Sequence, residues 1–198
     1  MSTDGYNIWA GELVRLRPPA PGDAETAQVY AADMETDRLR WIGDYPGPPV
    51  ADPQNRGDDR RYSIDTFDSK FIGVFNVFRA DRHHGRFSYE VALFRPFWGC
   101  GYGYDAVRIL LRYYFGELGY AKCDIGIYEF NEASLKLHGR VGFVEEGRRR
   151  LSLFSMGQRW DEVLLGMTAD EFFAAHGDFM LRPALANQPE AAVDLTAC

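Results

Sequence analysis

With 198 residues, 46% of them hydrophobic and 26% charged, the chain has the length and composition of one well-buried globular domain, which excludes a disordered or fibrous protein. A formal charge of −7 disfavours non-specific attraction to nucleic acid or an anionic membrane and mildly favours a cationic partner such as an amine. Cys100, Cys123 and Cys198 share no C-x-x-C spacing, so neither a disulfide framework nor a metal centre is indicated. No window approaches the ~18 continuous apolar residues of a membrane span and no basic, apolar leader opens the chain, so a cytoplasmic protein is expected.

Leu13 to Arg17 alternates as a strand does, and Pro18-Pro19 ends it before Asp23 to Ala32, which has helical spacing with acids in its first turn. A second short helix is expected over 34–42. Residues 43–60 carry prolines, glycines and charges without periodicity and read as a candidate substrate loop. Three strands follow, Tyr62 to Phe67, Phe71 to Phe78 and Phe87 to Phe94, joined by Asp68-Ser69-Lys70 and a polar Asp81 to Arg86 connection, as an antiparallel meander.

The next stretch, Trp98-Gly99-Cys100-Gly101-Tyr102-Gly103-Tyr104-Asp105, runs directly into a helix whose apolar stripe is Val107, Leu110, Leu111, Tyr114 and Leu118. Alternating glycines let backbone approach an anion, and the N-terminus of the helix directs its first N–H groups and its positive dipole end there, so a diphosphate is the natural guest. No Gly-Lys-Ser/Thr follows, and Tyr104 stands where the dinucleotide fingerprint wants its third glycine, so neither better-known phosphate motif is present. The alternative is that the glycines only make a sharp strand-to-helix turn.

Cys123 to Ile127 alternates as a strand parallel to the one before the helix. Asn131 to Arg140 returns to helix, with Asn131 placed to cap it and Gly142 to close it. A hairpin, Phe143 to Phe154 and Arg159 to Met167, and a short helix from Thr168 complete a single domain over 1–177. Residues 178–198 are expected as a disordered or loosely packed tail.

This order of elements resembles the GNAT superfamily of acetyl-CoA-dependent N-acetyltransferases over roughly residues 11–175, most closely the branch of the ribosomal-protein N-terminal acetyltransferases. The resemblance is carried by Trp98 to Ala106, Phe115 to Tyr120, Phe130 to Leu135, Val141 to Arg148 and Gly157 to Leu164. It implies an α+β (α/β) fold with a mixed, mostly antiparallel sheet of about six or seven strands flanked by four or five helices, and an acyltransferase that moves an acetyl group to a primary amine through a tetrahedral intermediate. It further implies that the backbone of Trp98, Gly99, Cys100, Gly101, Tyr102, Gly103 and Tyr104 holds the coenzyme A diphosphate, that the strand edge at Val91 and Leu93 pairs with the pantetheine arm, and that Asn131 lies beside the coenzyme. The chain departs from the family at Cys100, where Lys is usual, at Tyr104, where Thr is usual, and at His138, where a Tyr generally protonates the departing thiolate.

Two catalytic residues are expected on this basis. Glu90 alternates away from Phe87, Tyr89, Val91 and Leu93, and by resemblance acts as base; the other reading is a solvent-facing strand glutamate. His138 replaces the Tyr as acid or is a packed histidine without a chemical role. Asp65, His83 and His84 are lesser candidates for the base. No metal, nucleic acid or membrane is expected as partner. The acceptor is a protein N-terminal α-amine or a small amine, and monomer and homodimer stay open. The alternative function is a non-catalytic acyl-CoA-binding sensor of the same fold.

Overall fold

A computed structural model describes residues 7–31, 58, 60–155 and 157–181. The expected helix over 34–42, nearly all of the 43–60 loop and the tail from residue 182 lie outside the described residues. Within them the strands are β1 (Val14–Arg17), β2 (Arg60–Thr66), β3 (Phe71–Asp81), β4 (Arg86–Leu93), β5 (Lys122–Tyr128), β6 (Val144–Ser155) and β7 (Gln158–Thr168). The α-helices are α1 (Asp23–Ala31), α2 (Tyr102–Leu111), α3 (Glu132–Val141) and α4 (Ala169–Leu181), so the last helix runs past residue 177, where the pattern was expected to stop.

All seven strands form one sheet in the order β1-β2-β3-β4-β5-β7-β6. Every neighbouring pair is antiparallel except β4 and β5, whose connection passes through α2 and is therefore parallel. Strand alternation puts Tyr62, Phe75, Val77, Phe87, Tyr89, Cys123, Ile125 and Met167 on one face, which buries against α2, α3 and α4. Phe87 stacks on Tyr114 with ring centroids 4.4 Å apart, and Phe115 meets Phe172 of α4 at 5.6 Å. The opposite face carries α1, tied down by Asp23, whose carboxylate takes two hydrogen bonds from Arg17 and one from Ser63.

The stripe expected on α2 is buried from Val107 to Tyr114, but the α-helix ends at Leu111 and continues as a π-helical turn, Arg112–Glu117. There the Leu118 N–H donates to the Tyr113 carbonyl five residues back, at 3.1 Å. The turn contains Arg112, a buried guanidinium that donates to the Ile8 and Ala10 carbonyls at 2.6 and 2.8 Å. Asn131 caps α3 by accepting from the Ser134 N–H at 3.1 Å, and Gly142 closes it at φ +110°.

Candidate active site

The parallel pair β4 and β5 is joined only at Arg86↔Lys122 and Phe87↔Cys123. Beyond Phe87, β4 continues beside β3 to Leu93, and β5 continues beside β7 to Tyr128, so the two strands part and leave a split in the sheet. The Phe94 N–H donates to the Ile72 carbonyl at 2.9 Å, which fixes the ladder parity: Ser88, Glu90 and Ala92 bond to β3, while Tyr89, Val91 and Leu93 turn their N–H and C=O groups into the split. The structure thus places Val91 and Leu93 as unpaired strand edge. The Leu93 carbonyl, however, already accepts from the Trp98 indole N–H at 2.7 Å, which leaves Tyr89 and Val91 as the main exposed backbone of that edge.

At the far end of β4 a short 3-10 turn, Arg95–Phe97, leads into the glycine loop. Gly99 and Gly101 adopt φ of +80° and +84°, a conformation costly for residues with a Cβ, and Gly101 is the N-cap of α2 with no side chain capping the helix. A helix N-terminus without a side-chain cap, behind a glycine turn, is the geometry that suits an anion. Gly103 serves a different purpose: a Cβ there would lie 3.2 Å from Leu137 and 3.3 Å from Leu93, so this glycine lets α2 approach α3 and β4. Cys100 is half-buried, its Sγ 3.5 Å from the Trp98 carbonyl, and the Tyr102 ring lies 6.4 Å from Phe97.

The Tyr104 side chain is not aimed at the loop. The guanidinium groups of Arg108 and Arg140 lie over its ring, 5.0 and 4.3 Å from the ring centre, so it belongs to the contact between α2 and α3. Its backbone remains in the first turn of α2.

Glu90 is exposed on the face opposite α2 and α3, beside Asn76 of β3. His138 is 2% exposed. Its Nδ1–H donates to the Ser134 carbonyl at 2.8 Å, which leaves Nε2 to accept from the Tyr89 hydroxyl at 2.9 Å. Burial pushes its pKa down to about 4 despite the Ser134 bond, so at neutral pH the ring is uncharged with both nitrogens occupied. Burial likewise raises the Tyr89 phenol well above its usual range. The geometry supports the packed reading of His138 over the acid: it links α3 to the strand that lines the split.

The family model described as the Acetyltransferase (GNAT) domain matches residues 14–144. The chain belongs to the GNAT acetyltransferase family. It is 32% identical over 176 residues to YokL, an SPbeta prophage-derived uncharacterized N-acetyltransferase of Bacillus subtilis (strain 168), covering 85% of this chain and 97% of the relative. It is 24% identical over 178 residues to YdaF of the same organism, named as a candidate ribosomal N-acetyltransferase, covering 84% and 97%. Among solved structures, the Vibrio cholerae spermidine N-acetyltransferase in complex with CoA and spermine shares the fold, with a TM-score of 0.71, 17% identity and coverage of 81% of this chain and 98% of that one. The protein is therefore an acyltransferase enzyme with the seven-stranded GNAT sheet.

Several polar groups of this acetyltransferase are structural. Asp65 is buried and paired with Arg17 at 2.6 Å, and His84 pairs with Asp81 at 2.7 Å in an exposed turn far along the β3–β4 hairpin. Sequence reasoning passed over Asp105, whose buried carboxylate accepts from the N–H groups of Glu12, Leu13 and Val14 at 3.1, 2.7 and 3.0 Å. The signal was present, an acid among the apolar residues of α2. It also missed the Trp98 bond to Leu93, and Glu162, which no local pattern marks. No helix among the described residues is long and apolar enough to cross a membrane.

Proposed function

We propose that this acetyltransferase moves the acetyl group of acetyl-CoA to the primary amine of a small acceptor by direct attack. The observation that carries the reading is the split between β4 and β5, which has an uncapped helix N-terminus at its outer end, unpaired β4 backbone along one wall and an exposed carboxylate beside it. The Trp98 to Tyr104 backbone would take the diphosphate, with Asn131 close by, and the N–H and C=O groups of Val91 would pair with the pantetheine amide as another strand would.

The amine must lose a proton to attack. A lysine-like amine of pKa about 10.4 costs roughly 4.6 kcal/mol to deprotonate at pH 7, against roughly 1 kcal/mol for an α-amine near 7.8. In this reading Glu90 accepts that proton, directly or through water, and the oxyanion meets a strand N–H at Val91; the exposure of Glu90 on β4 beside the split supports its role. The departing thiolate, of pKa near 8.5, gains only about 2 kcal/mol from protonation at pH 7, so solvent can supply that proton. His138 then acts through Tyr89 as a positioning residue, holding the side chain of a residue whose backbone faces the split.

Acceptor-dependent thiol release, with one acetyl group added to the acceptor by mass, tests the transfer. Saturating acetyl-CoA is expected to raise Tm. Gly101→Asp is expected to abolish that rise, since it sets a negative charge at the helix N-terminus; a normal rise in this variant would refute the loop assignment.

A further inference from the structure

Resting on the acetyl-transfer reading, we propose that Glu162 is a specificity-determining residue of the acceptor site: its Oε1 holds the second ammonium group of a diamine whose first amine lies beside Glu90. The argument begins with register. Arg86 pairs with Lys122 and Phe87 with Cys123, and counting onward along two parallel strands brings Glu90 level with Gly126 across the split. Both positions belong to the face opposite α2 and α3, and Gly126 is exposed.

Gly126 is vacant of side chain for a reason. A Cβ there would collide with Glu162 Oε1, so the glycine lets Glu162, which pairs with Tyr128 from β7, fold its carboxylate flat across β5 toward the split. The carboxylate is held from behind. Arg149 donates to it at 3.0 Å and Ser152 at 3.2 Å, and both bonds land on Oε2. Oε1 is the atom that lies over Gly126, on the strand that borders the split.

Tyr128, paired with Glu162 across β5 and β7, feels the charge of both carboxylates. Its pKa is raised first by burial, then by Glu162, with a further contribution from Glu90, while Arg149 opposes them. Its ring is braced by Phe130, parallel within 1° and with centroids 6.0 Å apart. The mouth of the split therefore has one carboxylate on its β4 side and one on its β5 side. Among the described residues no cation pairs with Glu90, whereas Glu162 is fixed and partly compensated by Arg149. An exposed carboxylate without a paired cation suits proton transfer, and one held in place suits recognition of a charge that stays.

The test compares kcat/KM for putrescine and butylamine, acceptors of equal chain length with and without the second ammonium, in wild type, Glu162→Gln and Arg149→Gln. Wild-type turnover of either amine tests acetyl transfer itself, and its failure would sink that reading separately. The diamine preference is expected to fall about fivefold in Glu162→Gln, the scale of one partly exposed ion pair, and to rise in Arg149→Gln, which removes the competing cation. Retained stabilisation by acetyl-CoA confirms that each variant is folded. If the two variants fail to move the preference in opposite directions, the assignment of Glu162 is overturned.

Discussion

A histidine with both ring nitrogens engaged inside a protein gains a proton only at the expense of the fold, and His138 is in that position. Its folded pKa of about 4 lies below the ordinary 6.5, so the unfolded chain binds the proton more tightly and stability falls as pH drops through that interval. Between pH 7 and pH 5 this one residue is expected to cost about 2 kcal/mol. Urea unfolding at both pH values measures it: His138→Gln should be less stable than wild type at pH 7 and lose about 2 kcal/mol less on going to pH 5. An equal loss in both proteins would show that the ring is not held neutral. Neither its burial nor its tautomer was legible in the sequence. Helical spacing puts position 138 near the core, but the bond to Tyr89 depends on how α3 meets β4. Tyr104 is a similar case, because the loop pattern locates its backbone while Arg108, one turn on in α2, and Arg140, in α3, claim its ring.

At the scale of elements, α2 does two jobs from its two sides. Its N-terminus faces the glycine loop, and Asp105 and Arg112 fasten residues 8–14 to it through five hydrogen bonds to backbone. Replacing Asp105 with Asn removes the charge and one acceptor facing three N–H groups, and is expected to destabilise the fold by about 2–4 kcal/mol in urea unfolding. Because β1 is the edge strand that this carboxylate holds, hydrogen exchange should rise first in residues 12–17; uniform loosening would contradict a local fastening role. Most of this architecture was readable beforehand. Period-two runs marked β1 to β5, Asn131 and Gly142 marked the ends of α3, and three alternating glycines marked the loop. The boundary of α2 was not, since a π-helical turn preserves an apolar stripe while changing which residues follow it inward. The facing of Glu90 and Gly126 was equally hidden, because it requires the register of two strands that pair over only two positions.

For the molecule as a whole, the formal charge of −7 has the same sign as the two carboxylates at the mouth of the split, and both would attract the proposed cationic acceptor. Long-range attraction of this kind is screened over a Debye length of about 8 Å at physiological ionic strength. The kcat/KM for putrescine is therefore expected to fall as salt rises from low to physiological concentration, and to fall more steeply than that for butylamine. Parallel salt dependence for the two acceptors would show that net charge does not guide the second ammonium. The sheet itself is best regarded as two plates, β1 to β4 and β5 to β7, bound along a spine of two residue pairs. Glu90 stands three residues beyond that spine, about 10 Å along the strand, so a 10° rotation of one plate against the other moves it by about 1.7 Å. The stack of Phe87 on Tyr114 sits at the spine. A change in that ring contact, remote from the proposed reacting atoms, would thus be expected to alter the gape between Glu90 and Glu162.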